Sequence, residues 1–205
     1  VGILVAIAFV FVGIIAGVYI YQSKQKTEGA AQAHYSLAKT SLEQLILEAN
    51  STKPSNEAEA EVKKQLDILN SEFKSSYANQ LADQIRAEMA LRQKNYPEAI
   101  SYFEKYAKAL PKADKDFALY PLAQVYEQTK DFAKALSTYE SILSRKDSVY
   151  TPLALLGKGR ALKNLNKITE AKQTYESFLE KFPDSPDVAT VRGLLALAQE
   201  EAPKK

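Results

Sequence analysis

Three segments of this 205-residue chain align without gaps at a spacing of 36 residues. Asn95 opens NYPEAISYFEKY, Asp131 opens DFAKALSTYESI and Lys167 opens KITEAKQTYESF. In each, an alanine (Ala99, Ala135, Ala171) is followed four residues later by an aromatic (Phe103, Tyr139, Tyr175). The stretches before them align too, with Ala87, Ala123 and Gly159 at one position and Ala90, Tyr126 and Leu162 three residues on. Self-similarity at such a period marks one supersecondary unit used repeatedly. A single copy cannot bury its own apolar face, so the copies must stack.

Within each copy the apolar residues recur at helical spacing, as in Ala135, Tyr139 and Ile142 or Ala171, Tyr175 and Phe178. The unit is therefore a pair of helices. Small residues at Ala87, Ala123 and Gly159 let the second helix of each pair come close, and Ala99, Ala135 and Ala171 do the same from the other side. The large residues four positions later fill the gap between neighbouring pairs. Thr151-Pro152 and Ser185-Pro186 each place an N-cap residue before a proline at the first helical position. Pro111 and Pro183 fall just after second helices, where proline ends them.

The spacing and residue types resemble the tetratricopeptide repeat family over roughly residues 77–202. That family's usual period is about 34 residues, so the extra residues belong in the turns. The family's early tryptophan is absent, with Asp83, Leu119 and Leu155 in its place. Its later proline is present as Pro111 and Pro183 but is Asp147 in the middle copy.

Val1 to Tyr21 is an uncharged, mostly Val, Ile, Ala and Phe run. A helix of that length spans ~31 Å, close to the hydrocarbon thickness of a bilayer. Tyr19 and Tyr21 close it, where amphipathic rings favour the headgroup region, and Lys24 and Lys26 follow. The run ends in Tyr-Ile-Tyr-Gln, a poor signal-peptide cleavage site, so the expectation is a retained single-pass anchor. The first residue is Val, and the expectation is that a further segment precedes it. Gly2, Ala6, Gly13 and Gly17 share one face of this helix, and Gly13 and Gly17 form a GxxxG pair suited to close packing on another membrane helix.

Residues 28–49 and 56–74 read as two further helices joined by the polar turn Asn50–Asn56. The expected fold is all-α: a transmembrane helix over 1–22, a linker and degenerate helical hairpin over 23–75, and a repeat solenoid over 76–205. A capping helix, Pro186–Glu201, closes the array, with Arg192, Gln199 and Glu200 solvating its open end.

No chemistry of a catalytic kind is written in the chain. It has no cysteine, so thiol chemistry and zinc–thiolate sites are excluded. The single histidine, His34, has no ligand spacing around it and reads as an exposed helix residue near the membrane. Carboxylates are scattered beside lysines, as in Glu104-Lys105 and Glu180-Lys181. Gly157 and Gly159 sit inside an expected helix, not after a strand, so they are not a phosphate loop. The net charge of +2 points to no nucleic-acid partner. Catalytic, cofactor and metal residues are all expected to be none, and the protein is not expected to be an enzyme.

The likeness to tetratricopeptide repeats implies a concave face made by the first helix of each pair, which takes segments or domains of other proteins. Outward positions there are Gln84, Glu88 and Arg92, then Tyr120, Gln124 and Gln128, then Arg160, Lys163 and Asn164. The whole layout resembles the YfgM-like ancillary subunits of the bacterial SecYEG translocon, carried by the segment from Phe73 to Ala90 and the Asn-Tyr-Pro-Glu-Ala that follows. This likeness implies a domain on the outer side of the cytoplasmic membrane that contacts the translocon and periplasmic chaperones. Phe182-Pro-Asp-Ser-Pro186 is instead similar to envelope repeat proteins of outer-membrane assembly and the Tol-Pal system. The alternative role is a structural scaffold subunit of a larger envelope complex.

Overall fold

A computed structural model describes residues 2–48, 56–146 and 148–200, apart from the side chains of 2–10 and 56. The described residues form helices and turns without a strand. They divide into two units, residues 1–85 and 86–205. The division falls inside a helix, ten residues beyond the expected linker boundary at 75.

The first unit is built on α1 (Gly2–Glu48), a single helix of 47 residues. No break falls where the linker was expected to start, because Gln22 to Gln32 are mostly good helix formers and contain no proline. Its second half packs on α2 (Asn56–Glu72) and α3 (Tyr77–Leu81). Ala31, Leu69, Ala78 and Ala82 are buried together, with Tyr35, Leu66 and Phe73 against them. Glu28 joins the elements: its carboxylate accepts from the backbone N–H of Tyr77 at 3.0 Å and of Ala78 at 2.8 Å. Together with Ser76, whose hydroxyl accepts from Asn79 N–H, it satisfies the open end of α3.

His34 departs from its expected exposure. It is half-buried, its Nδ1 is hydrogen-bonded to Oε1 of Gln65, and its ring lies 5.5 Å from that of Phe73. The polar turn expected over Asn50–Asn56 lies largely outside the described residues, as does Asp147.

Among the described residues no helix is long and apolar enough to cross a membrane. The apolar run begins in residues whose side chains lie outside that set, Gly2 and Ala6 of the small-residue stripe among them. Its described part, from Phe11 to Tyr21, is exposed along its whole length. A Cβ built on Gly13 or Gly17 meets nothing within 4 Å among the described residues.

The second unit follows α4 (Asp83–Arg92), which crosses from one unit into the other, with α5 (Tyr96–Ala109), α6 (Asp116–Gln128), α7 (Phe132–Leu143), α8 (Thr151–Asn164), α9 (Ile168–Lys181) and α10 (Val188–Glu200). Sequential helices from α5 to α10 pack antiparallel-neighbour fashion, and α8 also touches α6. The aligned residues are its core: Ala87, Ala123, Ala99, Ala135 and Ala171 are fully buried, as are Tyr139, Tyr175, Ile142 and Phe178, with Phe103 nearly so. Gly159 faces the ring of Tyr175 on the partner helix of its own pair.

The turns inside the pairs repeat as closely as the core. Lys94, Lys130 and Asn166 adopt φ of 57°, 62° and 60°. Each ends its helix by the same two bonds. Asn95 N–H donates to the Ala90 carbonyl, Asp131 to Tyr126 and Lys167 to Leu162, while the left-handed residue itself donates to Leu91, Glu127 or Lys163. This is the Schellman ending, filled here without glycine.

Two expected helix starts shift. Helix α8 begins at Thr151, with Tyr150 at the N-cap position, and the Thr151 hydroxyl donates backwards to the Ser148 carbonyl. Helix α10 begins at Val188, and Ser185 instead accepts from Asp187 N–H in the turn before it. Pro111 and Pro183 do follow α5 and α9. Arg192, Gln199 and Glu200 of α10 are exposed.

Candidate partner-binding site

Helices α6 and α8 touch and carry a cluster of organised polar and aromatic groups. Its centre is Glu127, near the end of α6. Arg160 of α8 grips this carboxylate with two donors, Nε at 3.2 Å and Nη2 at 2.7 Å. The Tyr139 hydroxyl of α7 donates to the same carboxylate at 2.9 Å. A two-donor guanidinium–carboxylate pair fixes both partners in direction as well as distance. Here it ties the first helices of two successive pairs together.

Two turns back along α6 is an aromatic group. The ring of Tyr120 lies 5.1 Å from Tyr150 and 6.3 Å from Tyr139, and Phe117 meets Tyr150 edge-on at 5.8 Å. Gln124 donates to the Tyr120 hydroxyl at 3.3 Å. Behind them, Asp116 at the start of α6 is buried and ion-paired with Arg145 at 2.9 Å, and Arg145 also donates to the Lys112 carbonyl.

Burial pushes the hydroxyls of Tyr120, Tyr139 and Tyr175 above the ordinary tyrosine range, and Glu127 adds to the shift at each. Burial pulls Arg160 down, but the hydrogen bonds to Glu127, that carboxylate's charge and the nearby Tyr139 and Tyr120 together outweigh it and raise the guanidinium. At neutral pH the tyrosines are therefore neutral hydrogen-bonding groups, and Arg160 and Glu127 offset each other's charge. This arrangement holds no activated nucleophile and no poised acid–base pair. It offers flat rings, amide and hydroxyl groups, and a braced charge pair, which are the groups that recognise another protein's backbone and side chains. Among the described residues no group of His, Cys, Asp and Glu is placed to hold a metal ion.

The residues expected to form the face separate into three sets. Tyr120, Gln124 and Arg160 come together around Glu127. Tyr120 is half-buried there instead of standing free, and Arg160 is engaged with Glu127. Gln128 is exposed at the end of α6, Lys163 is half-buried and engaged, and Asn164 is exposed and donates to the Arg160 carbonyl at 2.9 Å. Glu88 is half-buried and engaged on α4, with Arg92 exposed at its end. Gln84 falls in the first unit, half-buried and engaged. Sequence reading missed Glu127 and Tyr150. The available signal was the opposite charge of Glu127 and Arg160 at a separation of 33, one helical turn short of the repeat, which sets them on facing turns of neighbouring first helices.

The pattern of the family described as "Tetratricopeptide repeat-like domain" matches residues 2–197. The chain belongs to that family. Its membership accounts for the helical pairs, and the matched span takes in α1 together with the repeats. This tetratricopeptide repeat-like chain is also similar to a TPR repeat-containing protein of Methanocaldococcus jannaschii, 37% identical over 92 residues. That match covers 43% of the chain and spans 28% of the relative's length. Repeats of this kind mediate protein–protein contacts and are not enzymes by type.

Proposed function

We propose that this protein is a non-catalytic adaptor, held at a membrane by its N-terminal run, that binds an extended segment of another protein along α6 and α8. The observation that carries the binding reading is the braced Glu127–Arg160–Tyr139 cluster with Tyr120 and Gln124 beside it. Pre-organised side chains lose little freedom on binding, so their contacts convert more fully into affinity. Photo-crosslinkers placed at Gln124 and Asn164 in the full chain should capture the same partner, and Tyr120→Ala should abolish that capture. A crosslinker at Lys134, exposed on α7, should capture far less. Equal capture from Lys134 would remove α6 and α8 from the role.

The anchor rests on the uncharged run from Val1 to Tyr21, taken at its full length, and on the exposure of Phe11, Ile14, Ile15 and Ile20. The family match beginning at residue 2 supports treating that run as part of the functional chain. By resemblance, the membrane is the bacterial cytoplasmic membrane, the repeats face the periplasm, and the partners are the translocon and chaperones that meet emerging chains. Protease added to spheroplasts should digest the repeats without lysis. Extraction of the intact chain by alkaline carbonate would exclude the anchor.

A further inference from the structure

We infer that the candidate site takes a basic side chain of the bound segment, best an arginine, against the rings of Tyr120 and Tyr150, with the carboxylate of Asp187 as its counter-ion; the inference rests on the binding reading above. The two rings lie 5.1 Å apart with an angle of 31° between them, and both are half-buried, so each keeps part of its surface open. The face of an aromatic ring carries negative potential and attracts a cation.

Asp187 brings the matching charge. It stands 36 residues beyond Thr151, the neighbour of Tyr150, so it holds the same place in the next copy of the repeat. Equivalent places in stacked repeats run along one edge of the stack. The carbonyl of Asp187 accepts from Val191 N–H at 2.9 Å, which makes this residue the N-cap of α10. An aspartate there ordinarily turns its carboxylate onto the N–H groups of its own first turn, as Asp131 does at α7. Asp187 does not. Its carboxylate is half-buried and has neither a hydrogen-bond nor an ion-pair partner among the described residues. Its charge is felt at α6: burial above all raises the Tyr120 hydroxyl, Arg160 opposes this, and Glu127 and Asp187 add to it.

The cations nearby are already committed. Arg160 is paired with Glu127 at 2.7 Å and Arg145 with Asp116 at 2.9 Å. Those pairs cancel, and the Asp187 charge is left uncompensated. An acidic segment would be repelled by it. An uncharged segment would cover a carboxylate and leave it without a partner, which is costly. A guanidinium suits both halves of the site, because it stacks on rings and forks onto a carboxylate.

The full chain with a photo-crosslinker at Gln124 is offered short peptides of serine, threonine and alanine, acetylated and amidated, that differ only in a central arginine, glutamine or glutamate. The arginine peptide should be captured about tenfold more than the glutamine peptide, and the glutamate peptide least. Asp187→Asn should leave the arginine and glutamine peptides captured alike, whereas Asp187→Glu should restore the preference in part. Unchanged helix content in both variants assigns the change to the carboxylate. Equal capture of the three peptides, or of none while Gln124 still captures a cellular partner, overturns the inference and leaves the binding face standing. An arginine preference that persists in Asp187→Asn overturns the role of Asp187. Loss of the cellular partner from the unaltered chain as well overturns the binding face itself.

Discussion

The ring of Tyr139 lies so close over Gly157 that a Cβ placed on the glycine would stand 2.2 Å from the ring's Cζ. The contact joins α7 to the first helix of the next pair. Tyr139 is fully buried and its hydroxyl is held by Glu127, so the ring cannot swing aside without breaking that bond.

Gly157→Ala should therefore lower the stability of the protein by ~1–3 kcal/mol, although alanine is the better helix former. Gly193→Ala, where an added Cβ meets nothing, should instead raise stability by ~0.5–1 kcal/mol. Thermal unfolding of the two variants checks the pair. Equal shifts would mean that α7 and α8 do not approach as described.

The two buried tyrosines should respond differently to loss of their hydroxyls. Tyr139→Phe removes a bond to a carboxylate and should cost ~1–3 kcal/mol. The Tyr175 hydroxyl is buried and has no hydrogen-bond partner among the described residues. Tyr175→Phe should leave stability unchanged or raise it slightly, because an unsatisfied polar group is removed from the core. Denaturant midpoints of both variants distinguish the cases.

Lys130 tests the turn. A left-handed φ costs a non-glycine residue roughly 1 kcal/mol or more, and a β-branched side chain fits it worst. Lys130→Gly should hold or raise the melting temperature, whereas Lys130→Ile should lower stability by ~1 kcal/mol or more. If both variants melt together, the helix ends at α6 in some other way.

Alkaline solution should unfold the protein. Burial, with Glu104 adding to it at Tyr126, raises both Tyr126 and Tyr175 to about 12 from an ordinary 10. The unfolded chain gives up these protons near pH 10 while the folded chain keeps them to about pH 12. The stability they contribute is complete below pH 10 and falls as the pH rises from about 10 to about 12. Tyrosinate absorbance and helix content followed together should change in one coupled step, displaced to higher pH in Tyr175→Phe.

The repeat core was legible because its packing is carried by residue size. Small residues at Ala87, Ala123 and Gly159 and aromatics at Phe103, Tyr139 and Tyr175 recur at one spacing, and sterics leave few other ways to stack them. The candidate site was legible only in part. Glu127 and Arg160 occupy different places in their repeats, so alignment by period hides the pair. The left-handed turns were hidden for a related reason: lysine and asparagine stand where glycine would have announced them. Gly157 looked like an ordinary helix glycine, since nothing local marks the arrival of a ring from another helix. The polar stretch after Tyr21 read as a linker, yet helix propensity carries α1 straight through it.

That continuity has a mechanical meaning. A helix of 47 residues is a rod about 70 Å long. Its far half is clamped by α2 and, through Glu28, by α3. With no joint between its two ends, the near end sets the angle of the hairpin directly. A tilt of ~20°, typical of a membrane helix, would carry the far end sideways by roughly 24 Å. Whatever grips the first turns of α1 therefore steers the hairpin as a hand steers the tip of a lever.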